Sequence, residues 1–403
     1  MFESYDLSKK YIVACSGGPD SMALLDMLKN HNFNIVVAMV NYKTRAESDT
    51  EEQLVKDYCN KNNIDCYVEI FDQKCEKNFE AVARKFRYDF FAKVYKLVDA
   101  SGLFVAHHKD DVIETYLLKK HRNVINKSYL IEEKTIINKM NVYRPLINSF
   151  YKIDLINYCN KFDIVYGIDK TNFMDIHTRN IIRKKIANED KEKLYLKAIE
   201  EENKLINTRK EVKEFIKFYP IYPISLLVEK DDMWLNIFLY EACNKKYKRN
   251  INKSILLALK DFIKSDKPNL NYLIKDNYYL TKNYNKIEFV FIKDEAFNYV
   301  LDKIEYISTP YFKLTDNGLK MHGIYVSEKD FPITIRNYNE NDKIILKQGS
   351  KKITRLFIDK KVPLHERKMV PVIENCNHEI IFVYNLYRKY GLKYVKNNLF
   401  MLK

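Results

Sequence analysis

A tight, glycine-containing turn near the start of the chain constrains its fold more than any other feature. The run Ser16-Gly17-Gly18-Pro19-Asp20-Ser21 follows an apolar stretch, Tyr11 to Cys15, and leads directly into an apolar-rich segment that begins at Met22. This order predicts a strand, a loop and a helix. Two of the eight glycines of the chain are adjacent here. A backbone without Cβ can approach a ligand closely, and the first N–H groups of a helix can bind an anion.

The loop therefore predicts a phosphate-binding site, with the Asp20 carboxylate available for Mg²⁺. Its members are Ser16, Gly17, Gly18, Pro19, Asp20 and Ser21. It is not a Walker A sequence, since no Gly-Lys-Ser/Thr follows and no lysine is placed to reach a terminal phosphate. Taken alone, the same hexapeptide also suits an ordinary strand-to-helix turn in which Ser and Asp cap the helix.

Apolar runs separated by helical segments predict a parallel sheet that is covered on both faces, as in a Rossmann-like α/β domain. The runs are Tyr11 to Cys15, Phe33 to Val40, Cys66 to Phe71 and Leu103 to Ala106, and Asp163 to Ile168 is expected to add a fifth strand. Ligands of such sheets bind at the carboxyl ends of the strands. We therefore expect three polar clusters to converge on one crevice: Ser16 to Ser21, Asn41 to Arg45 and His107 to Asp111.

The pattern along the chain predicts a catalytic α/β domain followed by a helical middle domain and a small α+β domain. We expect the boundaries at residues 1–187 for the catalytic domain, 188–218 for a helical connector, 219–325 for the middle domain and 326–403 for the C-terminal domain. The connector carries a sparse apolar stripe at helical spacing, which is typical of a helix with one buried face.

Charge predicts a polyanionic partner. The net charge is +15, and residues 331–403 contain fifteen Lys and Arg against six Asp and Glu, an excess of nine. The seven cysteines form no Cys-x-x-Cys pair, which argues against a disulfide framework or a zinc site. Neither a long apolar run nor a signal-peptide pattern is present, so we expect a cytoplasmic protein with no membrane partner.

A second polar cluster, His107 to Thr115, predicts acid–base or metal chemistry. His108 with Asp111, and Asp110 with Glu114, lie one helical turn apart, so an imidazole and carboxylates can share a face. Such carboxylates can hold Mg²⁺ or accept a proton. The alternative is that acidic residues in a first turn only favour the helix dipole.

Two arginines, Arg84 and Arg87, stand at helical spacing in the segment Asn78 to Tyr88. They are candidates to bind a phosphate or a substrate carboxylate in bidentate geometry. A structural salt bridge is the equally simple alternative.

In this order along the chain, the motifs resemble one family of ATP-using enzymes. The Ser16 to Ser21 loop resembles that of N-type ATP pyrophosphatases, the PP-loop superfamily. With the His107 to Thr115 cluster and three further motifs, the resemblance narrows to the tRNA(Ile)-lysidine synthase family. The further motifs are Arg144-Pro145-Leu146, Asp169-Lys170-Thr171-Asn172 and Arg179-Asn180-Ile181-Ile182-Arg183. The stretch from Ile335 to Val372 resembles the last domain of the family, so the resemblance covers nearly the whole chain.

Some positions depart from the family pattern. Tyr42 and Thr44 stand where the family usually has His and Leu, residues 119–124 lack the customary glycines, and residues 126–141 diverge. No tRNA or lysine contact is assigned to that last segment.

The resemblance implies a two-step ligation. ATP adenylates O2 of the wobble cytidine of a minor isoleucine tRNA, and free L-lysine then attacks C2 while AMP leaves. The resemblance implies that Asp20, His108, Asp110 and Asp111 act in catalysis and that the three aspartates also hold Mg²⁺. The residues expected to contact the substrates are Arg84, Arg87, Glu114, Arg179 and Arg183. The residues expected to bind the tRNA are Lys351, Lys352, Lys360 and Lys361. The attacking amine needs a base, for which His108 and Asp111 are the candidates.

Two other functions stay open on the sequence alone. A tRNA thiolase would activate a base in the same way but deliver sulfur through catalytic cysteines, which are dispersed here. A basic RNA-binding protein with a degenerate loop would not turn over ATP. The oligomeric state is not specified, and a homodimer is compatible with the sequence.

Overall fold

The computed structural model describes residues 2–43, 47–72, 79–122, 127–167, 190–248, 251–293, 295–389 and 397–403. The chain divides into two compact units, Met1–Asn207 and Thr208–Lys403. The predicted domain boundaries stay predictions. Across the described ranges, no helix has both the length and the apolar composition needed to cross a bilayer.

The first unit is built on a six-stranded sheet in the order β3-β2-β1-β4-β6-β5. Its pairs are parallel except for the antiparallel β5–β6 hairpin. The strands are β1 (Lys10–Ala14), β2 (Asn34–Asn41), β3 (Cys66–Ile70), β4 (Gly102–Val105), β5 (Lys134–Ile137) and β6 (Met140–Tyr143). The four strands predicted from apolar runs are confirmed, and so is the α/β fold class.

Helices cover both faces of this sheet, because each central strand carries apolar side chains on consecutive positions. On β1, Val13 packs into a core with α1, α2 and α5, whereas Ile12 packs into a second core with α3 on the opposite face. Both side chains are fully buried. The helices are α1 (Pro19–Asn30), α2 (Glu47–Lys61), α3 (Phe79–Leu97), α4 (Lys109–Arg122) and α5 (Lys152–Lys161).

The expected fifth strand at Asp163 to Ile168 is wrong over its described part, residues 163–167. Asp163 adopts a left-handed φ of 51°, and the Ile164 N–H donates to the Cys159 carbonyl, so the chain turns at the end of α5 instead of extending. Gly167 then donates its N–H to the carbonyl of Gly17 at 2.8 Å. This segment therefore packs against the glycine loop and adds no strand to the sheet.

Helix α6 (Lys191–Phe218) contains the boundary between the two units. Along its apolar stripe, Ala198, Leu205, Val212 and Ile216 are buried.

The second unit begins with three helices and a four-stranded antiparallel sheet in the order β7-β10-β9-β8. Asp231 and Asn252 cap α8 and α9 by accepting the N–H groups of Trp234 and Ile255. The elements are α7 (Ile224–Val228), α8 (Asp232–Tyr247), α9 (Lys253–Lys264), β7 (Tyr222–Pro223), β8 (Asn269–Lys275), β9 (Tyr278–Asn283) and β10 (Lys286–Phe291).

The C-terminal part of this unit is an α+β arrangement of two sheets, with orders β11-β14-β17-β18-β15-β16, where β19 also pairs with β18, and β12-β20-β13. Two short helices, α10 (Ile353–Asp359) and α11 (Leu364–Arg367), accompany them. The strands are β11 (Asn298–Leu301), β12 (Lys313–Thr315), β13 (Gly323–Ile324), β14 (Ile333–Asn337), β15 (Lys343–Ile345), β16 (Ser350–Lys352), β17 (Pro371–Glu374), β18 (Ile380–Val383), β19 (Tyr387–Arg388) and β20 (Leu399–Leu402).

Candidate active site

The glycine loop joins β1 to α1 as predicted. Gly17 has φ of +80°, a conformation that side chains with a Cβ rarely adopt, and an added Cβ would lie 3.1 Å from Glu51. Pro19 occupies the first turn of α1, where a missing N–H is tolerated. The Ser21 hydroxyl accepts the Ser16 N–H at 3.1 Å and donates to the Gly18 carbonyl at 3.0 Å. Ser21 therefore holds the loop in shape.

The three polar clusters follow strands that are neighbours in the sheet, since β2, β1 and β4 are adjacent. The first three residues of the second cluster, Asn41, Tyr42 and Lys43, are described, whereas residues 44–46 lie outside the described chain. Asn41 is buried and donates to Asp49 at 2.9 Å and to Glu52 at 2.7 Å, which ties the end of β2 to α2.

His108 brings the first and third clusters together. Its Nε2 lies 3.6 Å from an oxygen of Asp20 and 3.6 Å from an oxygen of Asp111, and its Nδ1 lies 3.5 Å from Asp110. Burial would lower the pKa of His108, but Asp110, Asp20 and Asp111 outweigh it and raise the pKa to about 10. His108 is therefore an imidazolium among three carboxylates at neutral pH.

Asp110 contacts the first residues of α5 and α6. One of its oxygens pairs with Lys191 Nζ at 2.6 Å, and the other accepts the N–H of Lys152 at 2.8 Å. Burial would raise the pKa of Asp110, but His108, Lys191 and the Lys152 N–H hold it well below its usual range. This carboxylate has its partners within the protein, whereas Asp20 and Asp111 face the same nitrogen of His108.

The first turn of α6 covers the start of α4. The Lys109 ammonium lies 4.8 Å from the ring centre of Tyr151 and 4.7 Å from that of Tyr195, and 3.6 Å from Glu192. Tyr151 in turn donates its hydroxyl to Glu192 at 2.6 Å. These contacts hold the N-terminus of α4 by cation–π and ionic interactions.

Asp20 and Asp111 fit a magnesium ion. Oδ1 of Asp20 is buried and has no hydrogen-bond partner, as expected of an oxygen that awaits a ligand. Within the described ranges, no group of three or more His, Cys, Asp or Glu side chains is arranged to hold a metal by itself. Mg²⁺ commonly uses only one or two carboxylates together with water and substrate phosphates, so two aspartates suffice.

The predicted substrate residues separate into described and undescribed ones. Glu114 is buried on α4, one turn beyond Asp110, and Arg84 is exposed on α3 with its guanidinium 4.9 Å from the ring centre of Tyr88. Arg87 is half-buried, close enough to Tyr42 to oppose the rise that burial causes in the pKa of that phenol. Arg179 and Arg183 lie outside the described residues.

Two side chains of the site were missed as site residues. Arg144 is buried and donates from Nε to His107 Nδ1 at 3.1 Å. Burial, with Arg144 and Arg84 nearby, lowers the pKa of His107 to about 4, against the opposing effect of Asp111, so this imidazole is neutral. Arg144 was visible in the Arg-Pro-Leu motif. Lys191, the other missed residue, has no local signal, because its partner stands 81 positions earlier.

The predicted tRNA-binding lysines cluster around α10. Lys352, Lys360 and Lys361 are exposed, whereas Lys351 pairs with Asp359 at 2.5 Å. Lys361 Nζ lies 5.7 Å from the ring centre of Tyr284.

A parallel sheet with a glycine loop at the N-terminus of α1, and carboxylates from two neighbouring strand ends, defines a PP-loop ATP-binding domain. The family description "PP-loop domain" matches residues 2–190, and "TilS substrate C-terminal domain" matches residues 333–391.

Several curated relatives span most of the chain. The chain is 31% identical over 396 residues to the tRNA(Ile)-lysidine synthase of Mycoplasma mycoides subsp. mycoides SC, which covers 93% of this chain and 96% of the relative. It is 31% identical over 293 residues to that of Mycoplasmopsis pulmonis, covering 67% and 96%, and 34% identical over 294 residues to that of Ureaplasma parvum serovar 3, covering 68% and 86%. The chain belongs to the tRNA(Ile)-lysidine synthase family.

Proposed function

We propose that this enzyme joins free L-lysine to C2 of the wobble cytidine of a minor isoleucine tRNA at the expense of ATP. In the first step, O2 of the cytidine attacks the α-phosphorus of ATP, a new O–P bond forms, and pyrophosphate leaves. In the second step, the ε-amine of lysine attacks C2, the C2–O2 bond breaks, and AMP leaves with that oxygen. The amine loses its protons in the course of the attack, and the product is lysidine.

The glycine loop and the two aspartates serve the first step. The backbone of Ser16 to Ser21 at the N-terminus of α1 binds phosphate groups, since the helix end favours negative charge. Asp20 and Asp111 would hold Mg²⁺, which when bound neutralises phosphate charge that develops as pyrophosphate leaves. Asp110 stays paired with Lys191 and positions His108.

The second step needs a deprotonated amine. The pKa of a lysine side chain in water is about 10.4, so the substrate arrives mostly protonated. Sequence analysis offers two candidates for the base, His108 and Asp111, but His108 is already protonated at neutral pH, so Asp111 is the better candidate to take the proton. Asp111 lies 3.6 Å from His108 Nε2 and accepts the backbone N–H of His108 at 2.9 Å. Arg84, Arg87 and Glu114 stay candidates for substrate contacts, as do Arg179 and Arg183.

The observation that supports this proposal most strongly is the meeting of Asp20 and Asp111 at one nitrogen of His108. We expect Asp20→Asn and Asp111→Asn each to lower AMP formation by about 10²- to 10³-fold, with tRNA affinity nearly unchanged. Asp57→Asn is the matched control, because Asp57 is an exposed carboxylate on α2. Substantial activity in either site variant would contradict the assignment.

The reaction itself is tested by measuring ATP-to-AMP turnover with and without lysine and with and without tRNA. A lysidine-forming enzyme needs both lysine and tRNA for full turnover and yields a tRNA that carries the modified base. If turnover with tRNA continues when a sulfur donor replaces lysine, the protein is a thiolase. If ATP is not turned over under any of these conditions, the protein is an RNA-binding protein and not an enzyme. We place the reaction in the cytoplasm, where its substrates occur, and the mass of the protein in solution tests for a homodimer.

A further inference from the structure

A cavity of about 390 Å³ opens in the first unit beside the β5–β6 hairpin. It is lined by charged side chains from four parts of the chain: Arg84 of α3, Lys119 of α4, Lys127 and Glu132 of the loop that precedes β5, and Arg144 after β6. Four cationic groups therefore face one carboxylate. This excess of positive charge favours an anionic ligand.

Two of these cations build the wall of the cavity. The Lys119 ammonium donates to the carbonyls of Ser128 at 2.9 Å and Leu130 at 3.1 Å, and the guanidinium of Arg144 donates to the carbonyl of Glu132 at 2.7 Å. Arg144 is buried, whereas Arg84 and Lys127 are exposed. The side chains that can reach a ligand in solution are thus Arg84 and Lys127.

The remaining lining is suited to a flat ring with polar edges. Leu130, Ile131 and Ile137 supply apolar surface, and Ser128 and Thr135 supply hydroxyl groups. The volume lies within the range of pockets that enclose small organic ligands. Proteins bind unpaired nucleotides with cations for the phosphate and with aromatic rings or guanidinium planes for the base, and here the exposed guanidinium of Arg84 is the flat group beside the apolar wall.

The cavity adjoins the catalytic cluster. Arg144 contacts His107, and the next residue, His108, lies between Asp20, Asp110 and Asp111. A ligand in the cavity is therefore close to the reacting base. We propose that this cavity binds a nucleotide of the anticodon loop that neighbours the modified cytidine, an inference that rests on the proposed function.

Charge separates this ligand from the amino-acid substrate. Free lysine carries two ammonium groups and one carboxylate near neutral pH, so it is a net cation. Four cationic side chains against one carboxylate disfavour such a molecule. An RNA loop carries a negative charge on every phosphate and is attracted by the same groups.

The test uses Lys127→Gln, with Lys139→Gln as the matched control. Lys139 is an exposed lysine in the turn between β5 and β6 and is not among the residues that line the cavity. The probe is an RNA hairpin that contains only the anticodon stem and loop. We expect Lys127→Gln to weaken its binding about fivefold at 0.1 M salt and to reduce the slope of log affinity against log salt by about 0.7.

Steady-state assays on the full-length protein supply the second readout. Lys127→Gln should raise the KM for tRNA while leaving the KM values for lysine and ATP unchanged, and Lys139→Gln should match the wild type. A raised KM for lysine with unaltered RNA affinity, or a Lys127→Gln variant identical to Lys139→Gln, would overturn the inference. A wild-type protein that binds the hairpin but forms no lysidine would instead refute the proposed function.

Discussion

At the scale of single residues, a lysine that stands 81 positions later in the chain holds one carboxylate of the site. Lys191, at the start of α6, pairs with Asp110, and Asp110 faces Nδ1 of His108. The opposite nitrogen of that imidazole faces Asp20 and Asp111. We therefore expect Lys191 to act through Asp110 as a positioning residue.

We expect Lys191→Met to lower kcat for AMP formation about tenfold, since a small displacement of a catalytic group has a large effect on rate. The KM for ATP should change little, because the glycine loop is untouched. Lys191→Arg keeps the charge and should restore most of the rate. Lys193→Met is the control, since Lys193 is exposed on the same turn of α6. Equal rates for Lys191→Met and wild type would exclude this role.

Within the glycine loop, Gly17 is the position where the absence of a side chain matters most. Gly17 and Gly349 both have left-handed φ values, +80° and +86°, but only Gly17 is crowded: an added Cβ there would lie 3.1 Å from Glu51, whereas nothing lies within 4 Å at Gly349. We expect Gly349→Ala to lower the free energy of unfolding by about 1 kcal/mol and Gly17→Ala by about 2 kcal/mol.

Measurements on these two variants by urea denaturation separate backbone strain from crowding. Gly17→Ala should also lose affinity for ATP in a calorimetric titration, because the loop must shift to accommodate the methyl group. If both variants have the same free energy of unfolding and both bind ATP with wild-type affinity, crowding at Gly17 affects neither stability nor ATP binding.

At the scale of elements, three of the four strands that sequence analysis predicted, β1, β2 and β4, have buried residues on consecutive positions, whereas the fourth, β3, is a half-buried edge strand. On β1, Ile12 and Val13 are both fully buried, and strands of this kind are continuous apolar runs that stand out in a sequence. The β5–β6 hairpin was not predicted, because β5 alternates exposed and half-buried positions over four residues and Ile136 is 74% exposed. A short edge strand of this kind carries almost no apolar signal.

The candidate site was predictable to the extent that it depends on strand order. The glycine loop and the His107 to Asp111 cluster converge because β1 and β4 are adjacent in the sheet. The pairing of Asp110 with Lys191, and of His107 with Arg144, was not predictable, because it depends on how distant segments pack. No spacing rule in the sequence encodes such contacts.

Two strands of the C-terminal sheet, β14 and β17, are joined by a mostly buried ionic cluster. Arg336 on β14 pairs with Asp342 at 2.8 Å and with Glu374 on β17 at 2.6 Å, and the three side chains are 11–15% exposed. Burial would raise the pKa of Glu374, but His378 and Arg336 outweigh it and lower the pKa. Because the folded-state pKa of Glu374 is depressed, its contribution to stability is present at neutral pH and is lost as the pH falls.

We expect Arg336→Met to lower the free energy of unfolding by about 3 kcal/mol at pH 7, since it removes the cation that two mostly buried carboxylates, Asp342 and Glu374, share. The difference from wild type should shrink as the pH falls below about 4, where the unfolded carboxyl groups are protonated. Arg355→Met is the control: its ion pair with Asp359 is 68% exposed on the arginine side, and about 0.5 kcal/mol is expected. A pH-independent difference for Arg336→Met would contradict the ionic explanation.

At the scale of the whole molecule, the positive charge is unevenly distributed along the chain. More than half of the net charge of +15 belongs to residues 331–403. Not every lysine of that segment is equally available, because Lys351 is engaged by Asp359 while Lys352, Lys360 and Lys361 are exposed. The exposed three are therefore the better candidates for phosphate contacts with tRNA than Lys351.

We expect the triple change Lys352→Gln, Lys360→Gln and Lys361→Gln to weaken tRNA binding. It should also reduce the slope of log affinity against log salt by about two, because fewer counterions are released on binding when phosphate contacts are lost. The control removes the same charge from the exposed lysines of α6, with Lys210→Gln, Lys213→Gln and Lys217→Gln. Filter binding across a salt series distinguishes the two. Equal slopes for both triple variants would mean that tRNA responds to net charge alone, whereas a loss confined to the C-terminal variant makes this surface a phosphate-binding site.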